Sequence, residues 1–394
     1  MPGAPDDALL LDGPVEGLAG AQLSLHAAGD GEFGRRFTPA DGLGPLFVAT
    51  SCDGCHVGEG KGHPVFDLTR FGVMENGRFN PMESEGGPQL QNRAIAGYLA
   101  ERLPAGVTAV ARFTAPAVTG LGFLEAVDDA TILALADPSD ADGDGVSGRV
   151  ARIDSTDFLG GIVARTSVAG GATPARVHNG AYIGRFGKKA RVVNLVQQTV
   201  FAYAEDMGVT TDLLPRDLYN RQLGAEAVDN VPDPEVSSAV VSAVVFYLRT
   251  LRPPPRRSVA DAAVLEGEEA FVAIGCASCH RPSMTTGRSD IAQLDRVEFA
   301  PFTDLLLHDM GPELNDGYTE GDAEPSEWRT APLWGLGLAA RSQGGRAHYL
   351  HDGRATSLRD AIRLHGGEGS RSRAAFNALP AGQQERLLAY LQSL

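Results

Sequence analysis

The chain has 394 residues, 43% of them hydrophobic and 21% charged, which is enough for two domains and ordinary for a soluble globular protein. The formal net charge of −16 argues against nucleic acid or an anionic membrane as a partner, because both require basic patches. No apolar run reaches the roughly 18 residues of a transmembrane helix, so no membrane-spanning segment is expected.

Glycine and proline are abundant, at 48 and 24 residues, which predicts long loops and short elements. Residues 1–45 show little periodicity and are predicted to form an extended arm or loop. The stretch from Leu90 to Leu103 fits a short helix that ends at Pro104.

The spacing C-x-x-C-H occurs twice, at Cys52–His56 and at Cys276–His280. It is the attachment pattern of a c-type haem, in which both thiols bond to one porphyrin and the histidine binds the iron. The chain has 4 cysteines and the two motifs use all of them. A zinc site of four thiolates would not require a histidine after each second cysteine. Two covalently bound haem c groups are therefore predicted, attached through Cys52, Cys55, His56, Cys276, Cys279 and His280.

Haem is attached to such motifs outside the cytoplasm, so we expect a periplasmic protein whose export signal is not part of this chain. Phe47-Val48-Ala49 precedes the first motif and Phe271-Val272-Ala273 precedes the second at the same offset. This repeat predicts two copies of one haem-binding helix.

Gly120 is followed by Leu121-Gly122-Phe123-Leu124-Glu125-Ala126, a pattern that predicts a glycine turn and a helix to about Ala136. Glu125 stands out because its neighbours are apolar. It is either a charge in the first helical turn or a carboxylate held in a pocket for proton transfer.

An acidic stretch with the spacing D-x-D-x-D-G follows, formed by Asp140, Asp142 and Asp144, and it resembles the first half of a calcium loop. The bidentate Glu of an EF-hand is missing, because Ala151 holds the twelfth position. A calcium loop of another type, completed by Asp154, and a plain acidic turn both remain open.

Two longer helices are predicted next, one near Val192–Asp206 with Gly208 as its cap and one that starts at Asp233-Pro234 and continues to Leu251. Before the first of them, Arg185 and Lys188 either neutralise haem propionates or form a solvated basic turn. Three prolines from Pro253 give the strongest linker signal. The predicted domains are therefore 1–252 and 253–394.

In the second domain, Glu266–Ser278 is predicted as the haem helix, against which an amphipathic helix over Gln383–Leu394 packs. His308 and Met310 are both possible iron ligands. Ser357 caps another helix with Asp360 at its third position. On that helix His365 lies on the apolar face, which favours a distal haem ligand over a histidine placed by the helix C-terminus.

Together these motifs resemble the di-haem oxidoreductase family, whose relatives are bacterial di-haem cytochrome c peroxidase, MauG and the haem rubber oxygenases. The resemblance covers most of the chain. Besides the two haem motifs, it rests on Gly122–Ala126, Asp142–Arg149, Gly184–Gly187, Leu307–Gly311, Thr330–Trp334 and His351–Arg354.

The resemblance implies a mainly α protein with two cytochrome c-like haem domains, long loops and few short strands. It implies a reactive N-terminal haem and a C-terminal haem that relays electrons, with His365 at the position of the relay haem's sixth ligand. It also implies calcium between the domains and an acid on the open side of the reactive haem, for which Glu125 is the candidate. Relatives place a tryptophan between the haems in the first domain, whereas Trp328 and Trp334 both lie in the second.

The predicted function is a peroxidase-like reduction of peroxide, with electrons from a redox partner such as a small cytochrome or a cupredoxin. Two alternatives remain. In a non-catalytic electron carrier, the extra iron ligand would come from His63, His178, Met74, Met82 or Met207. A haem oxygenase of the rubber-oxygenase type would require a dry apolar channel and no distal acid.

Overall fold

The computed structural model describes residues 11–164, 175–220, 224–226, 229 and 231–394. In these ranges the chain forms short helices and short strands joined by long loops. The helices α1–α11 are Ala21–Phe33, Leu121–Glu125, Asp129–Leu135, Asp157–Val163, Leu195–Met207, Ser238–Thr250, Ala262–Ala273, Ala339–Ser342, Leu358–Arg363, Ser370–Ala378 and Ala381–Ser393. The strands β1–β13 are Leu46–Phe47, Leu68–Glu75, Arg78–Asn80, Arg93–Ala94, Ala109–Phe113, Ala151–Asp154, Ala181–Gly184, Tyr219–Asn220, Ala225–Glu226, Met284–Thr285, Glu298–Phe299, Leu307–Asp309 and Glu327–Arg329.

The larger hydrophobic core is built around α1, α5 and α6. Val200, Tyr203 and Tyr247 are fully buried in it. Helices α1 and α6 cross closely at Gly29, where an added Cβ would lie 2.1 Å from the Ala243 carbonyl oxygen. Residues from beyond the proline linker, among them Trp334, belong to the same core.

A second core packs α7 against α11, with α9 and α10 beside them. Phe271, Phe376, Leu387 and Tyr390 form its centre. This confirms the predicted packing of the last helix on the haem helix. The crossing requires a glycine, because a Cβ at Gly267 would lie 2.1 Å from the Arg386 carbonyl oxygen.

The strands pair antiparallel in small sheets. The largest has the order β3-β2-β5, with Leu68 opposite Phe113. Strand β5 alternates buried and exposed residues, as expected for a sheet with one solvated face. The hairpin-like pair β12–β13 sets His308 opposite Trp328.

Three predicted helical features are confirmed. Helix α5 ends at Gly208 in the left-handed conformation, with φ 63°. Helix α9 begins after Ser357, whose hydroxyl accepts from the Asp360 N–H at 3.0 Å. The proline linker follows directly after α6, and the N–H of Arg252 there donates to the Gly13 carbonyl.

Other local predictions were wrong. Helix α1 lies inside the stretch expected to be an arm, and residues 90–103 contain strand β4 rather than a helix. The helix expected over 121–136 breaks into α2 and α3. The N-cap of α6 is Ser237, not Asp233. The first Phe-Val-Ala starts in β1, so only the second copy is helical.

The fold is thus a mixture of helices and short strands rather than mainly α. The cytochrome c-like character of each half and the boundary at 252/253 stay predictions. None of the described helices is both long and apolar enough to cross a membrane. Part of the glycine-rich stretch after α4, residues 165–174, lies outside the described residues.

Gly267→Ala should destabilise the protein by about 1–3 kcal/mol, because the new methyl group meets the α11 backbone. Gly382→Ala is the matched control, since Gly382 lies in α11 with open space around it. That change should be neutral or stabilising by up to about 1 kcal/mol. Denaturant unfolding of both variants measures the difference, and equal effects would contradict the close crossing.

Candidate functional site

The first C-x-x-C-H motif forms a tight turn. The N–H groups of Cys55 and His56 donate to the Cys52 carbonyl at 3.2 and 3.0 Å. The His56 side chain bonds through Nδ1 to the Pro116 carbonyl oxygen at 2.7 Å. A carbonyl oxygen can only accept, so Nδ1 carries the proton and Nε2 keeps its lone pair. This is the tautomer that a metal-binding histidine requires.

One extended segment, residues 114–118, organises the surroundings of His56. Besides the Pro116 carbonyl, it offers the Ala115 carbonyl to the Gly62 N–H at 2.9 Å. The Thr114 N–H donates to the His351 carbonyl at 2.8 Å. The turn after His56 is therefore connected to a segment from the second half of the chain.

The second motif repeats this arrangement on a different scaffold. Helix α7 ends at Ala273, and the next residues form a 3₁₀ turn, Cys276–Ser278. The His280 N–H donates to the Cys276 carbonyl at 3.0 Å. Its Nδ1 donates to the Phe302 carbonyl at 2.8 Å, so Nε2 again keeps its lone pair.

His365, just beyond α9, has the same tautomer, because its Nδ1 donates to the Ala361 carbonyl at 2.7 Å. Burial lowers the pKa of His280 to about 4, and the charge that His365 would carry lowers it further. The two imidazoles are therefore close enough to interact electrostatically, and each keeps its Nε2 lone pair. Met310 lies close by, since its methyl carbon and the His365 side chain both approach Gly369. The choice between His365 and Met310 as iron ligand stays a prediction.

The two motif histidines have similar surroundings. Both side chains are half-buried. Loss of hydration lowers the pKa of His56 to about 4, as it does for His280. Both imidazoles are therefore neutral near pH 7, which is the form that binds a metal.

The cysteines of the two motifs are also shielded from water. Burial raises the pKa of Cys52 and of Cys276 to about 12, so both are neutral thiols. The four cysteines form no disulfide. A thioether sulfur carries no charge, so a covalent link to a porphyrin suits such an environment. The residues at both motifs therefore fit a haem.

A cluster of charged side chains lies near His56. Burial lowers the pKa of Lys188 to about 8, with Arg329, Asp67 and Asp352 as its charged neighbours. Burial is the main cause of the lowered pKa of His56, and the charge of Lys188 lowers it further. Of this cluster, the sequence identified only Lys188 as a candidate site residue, because Asp67, Arg329 and Asp352 are far from it in the chain.

Asp67 is the member of this cluster with a carboxylate oxygen that forms no hydrogen bond. Burial raises its pKa to about 7, and the nearby Asp352 carboxylate raises it further. Its Oδ1 is buried and has no hydrogen-bond partner. A carboxyl group with a pKa near neutrality is suited to proton transfer.

Glu125 is held in an ion pair. Its Oε2 accepts from Arg249 Nε at 2.5 Å, and its Oε1 accepts from the Leu195 N–H at 2.8 Å. Both side chains are almost fully buried, with 3% and 1% exposed. The arrangement weighs against a free acid, and the role of Glu125 in proton transfer stays a prediction.

Arg185 does not lie in a solvated turn, and its contact with a propionate stays a prediction. It is buried and donates to the carbonyls of Glu125 and Val127 and to Asp129. It fixes the break between α2 and α3. Neutralisation of a haem propionate by Lys188 also stays a prediction.

His308 is not available as an iron ligand, contrary to one possibility raised by the sequence. Its Nε2 bonds to Asp304 at 2.9 Å and its Nδ1 to Glu368 at 2.7 Å. Both nitrogens are therefore used.

The acidic loop brings its three carboxylates together. Oxygens of Asp140, Asp142 and Asp144 lie within 4.8 Å of one another. They also accept backbone N–H groups, among them the Gly145 N–H to Asp140 at 3.1 Å. Asp144 accepts from Ser278, inside the second haem motif, at 3.3 Å. Calcium at this loop stays a prediction.

Among the ligands considered for a purely electron-carrying protein, two histidines are engaged. His178 bonds through Nε2 to Asp129 at 3.0 Å. The Nδ1 of His63 accepts from the Val65 N–H at 3.1 Å, so its Nε2 carries a proton.

A protein family described as "Di-haem oxidoreductase, putative peroxidase" matches residues 95–394. Hydrazine synthase of Kuenenia stuttgartiensis is 15% identical, over 100% of this chain and 97% of that one, with a TM-score of 0.39. A MauG-like protein associated with microbial copper homeostasis is 16% identical, over 61% of this chain and 89% of that one, with a TM-score of 0.30. Both TM-scores are too low to support an argument. A search of curated proteins gave no match.

Replacing Cys276 and Cys279 by alanine should remove one of two covalent haems and leave the other. The matched variant, with Cys52 and Cys55 replaced by alanine, should lose the other haem and keep the one attached at Cys276 and Cys279. Haem absorbance per protein after denaturation and removal of free haem measures both. Retention of two covalent haems in either variant would contradict the assignment of that motif.

Proposed function

Because the chain belongs to the di-haem oxidoreductase family, we propose that it is a peroxidase-type enzyme with two covalently attached haem c groups. It reduces a peroxide at the N-terminal haem, and the C-terminal haem passes electrons to that site. One observation carries the proposal. His56, His280 and His365 each donate Nδ1–H to a backbone carbonyl and keep Nε2 free.

The three histidines have distinct roles. His56 would hold the first haem. His280 and His365 would together hold the second, which would keep it closed to small molecules. The bound haem supplies the redox chemistry, and the two environments determine which site is open.

Proton transfer at the first site falls to a carboxyl group. Asp67 has an unpaired oxygen, and the raised pKa of its carboxyl group lets it give and take a proton near neutral pH. The ammonium of Lys188 stabilises negative charge beside it. Glu125 is the alternative, and it would first have to leave Arg249.

The electron donor is proposed to be a small cytochrome or a cupredoxin, and the site of action the periplasm, where haem is attached to C-x-x-C-H motifs. A basic partner surface would suit the formal net charge of −16.

The oxidised protein should give one high-spin and one low-spin ferric EPR signal, because one site is open and the other has two histidines. His365→Ala should convert the low-spin signal to high-spin and leave the other unchanged. Met310→Leu is the control and should change neither. If Met310→Leu abolishes the low-spin signal instead, Met310 is the ligand. Two low-spin signals that peroxide does not disturb would favour a non-catalytic electron carrier.

Asp67→Asn should slow peroxide turnover by about 10²–10⁴-fold, the usual contribution of an acid–base group, with unchanged EPR signals. Glu125→Gln separates the two candidates. If Glu125 only pairs with Arg249, this change lowers the unfolding free energy and spares turnover in the folded protein. The opposite pattern, with slow turnover only in Glu125→Gln, would assign proton transfer to Glu125.

A further inference from the structure

His308 lies between two carboxylates at the second site. Its Nε2 is 2.9 Å from Asp304 Oδ2 and its Nδ1 is 2.7 Å from Glu368 Oε2. His308 and Asp304 side chains are each 3% exposed, and Glu368 is 11% exposed. Two carboxylates in such a place require a positive charge between them.

The imidazole is therefore charged. A carboxylate oxygen can only accept a hydrogen bond, so both ring nitrogens of His308 carry a proton. Despite its burial, the pKa of Glu368 is lowered, mainly by its hydrogen bond to His308. The three groups together carry one net negative charge.

This triad lies beside the attachment turn of the second site. His308 Nδ1 is 3.7 Å from Cys279 Sγ, the sulfur that links the haem. Glu368 lies three residues after His365 and accepts the Asp309 N–H at 2.9 Å. The triad thus spans from the attachment turn to the loop that follows the distal histidine.

The first half of the chain closes over the ring. Glu368 also accepts the Ser147 N–H at 2.8 Å. A Cβ at Gly148 would lie 2.4 Å from His308 Cε1, so only glycine allows this contact. The charged triad is therefore sealed from solvent by a segment next to the acidic loop.

We infer that His308 is a positioning residue of the second haem, whose fixed positive charge between Asp304 and Glu368 sets the reduction potential of that haem. The inference rests on the proposed function, because it requires a haem at Cys276 and Cys279. Reduction adds one negative charge to the site, so a nearby positive charge favours it and a nearby negative charge opposes it.

Three variants test the inference through the potential of the low-spin haem. His308→Gln removes the positive charge and should raise the oxidised-to-reduced ratio at a fixed ambient potential about tenfold, which is about 59 mV for one electron. Glu368→Gln removes a negative charge and should lower that ratio about tenfold. The double variant restores the net charge of the triad and should return close to the unmodified protein.

A merely structural role predicts another pattern. Both single variants would then loosen the same contacts and shift the potential in the same direction, and the double variant would add to the damage. That result, or no shift in single variants that keep the low-spin signal, overturns the inference. If one single variant does not fold, the other single variant and the double variant decide. A single variant that shifts against its expected sign, or a double variant whose potential stays far from that of the unmodified protein, then overturns the inference. Absence of covalent haem in the unmodified protein would instead refute the proposed function.

Discussion

The hydrogen bond from an imidazole Nδ1 to a backbone carbonyl is the interaction on which both proposed haem sites depend. It fixes the tautomer and the orientation of His56, His280 and His365 before any iron arrives. Each carbonyl comes from a different kind of segment: Pro116 from an extended stretch, Phe302 from a loop and Ala361 from a helix. The fold must therefore hold loops in place as firmly as helices.

Ion pairs do much of that work. Arg149 joins Asp322 and Glu327 at 2.6 and 2.5 Å, which anchors the start of β13 to the first half of the chain. Arg70 and Arg191 share Glu205 at 2.9 and 2.5 Å. Arg70 and Glu205 are largely buried, so loss of either one leaves a charge without compensation, at a cost of about 3–5 kcal/mol. Long loops are acceptable here because their charged groups are matched inside the protein.

The sequence predicted what short-range patterns encode. The C-x-x-C-H spacing, the Ser357 cap and the apolar face of His365 all depend on residues within a few positions of one another. The structure confirms the cap, and the haem attachment and the role of His365 stay predictions. The hydrogen-bond partners of the same histidines were beyond prediction. His56 is 60 residues from Pro116, and His308 is 60 from Glu368. No local pattern marks such pairs.

The errors have a related cause. Residues 121–136 have the periodicity of one helix. However, Arg185 donates hydrogen bonds to three backbone carbonyls near the middle of this stretch, and the helix breaks there. Asp233-Pro234 has the residues of a helix start, yet Ser237 caps α6 because its hydroxyl reaches the Val240 N–H. In both places a tertiary contact or a neighbouring cap outweighs local propensity.

The pair β12–β13 connects the two sites. His308 on β12 lies beside Cys279, and Trp328 stands opposite it on β13. The Trp328 ring stacks on His351 with centroids 3.6 Å apart and an angle of 9°. The His351 carbonyl accepts from Thr114, which begins the segment that orients His56. An aromatic ring from the second half of the chain therefore makes contacts toward both proposed sites. The pair β12–β13 therefore joins the surroundings of Cys279 to the segment that orients His56.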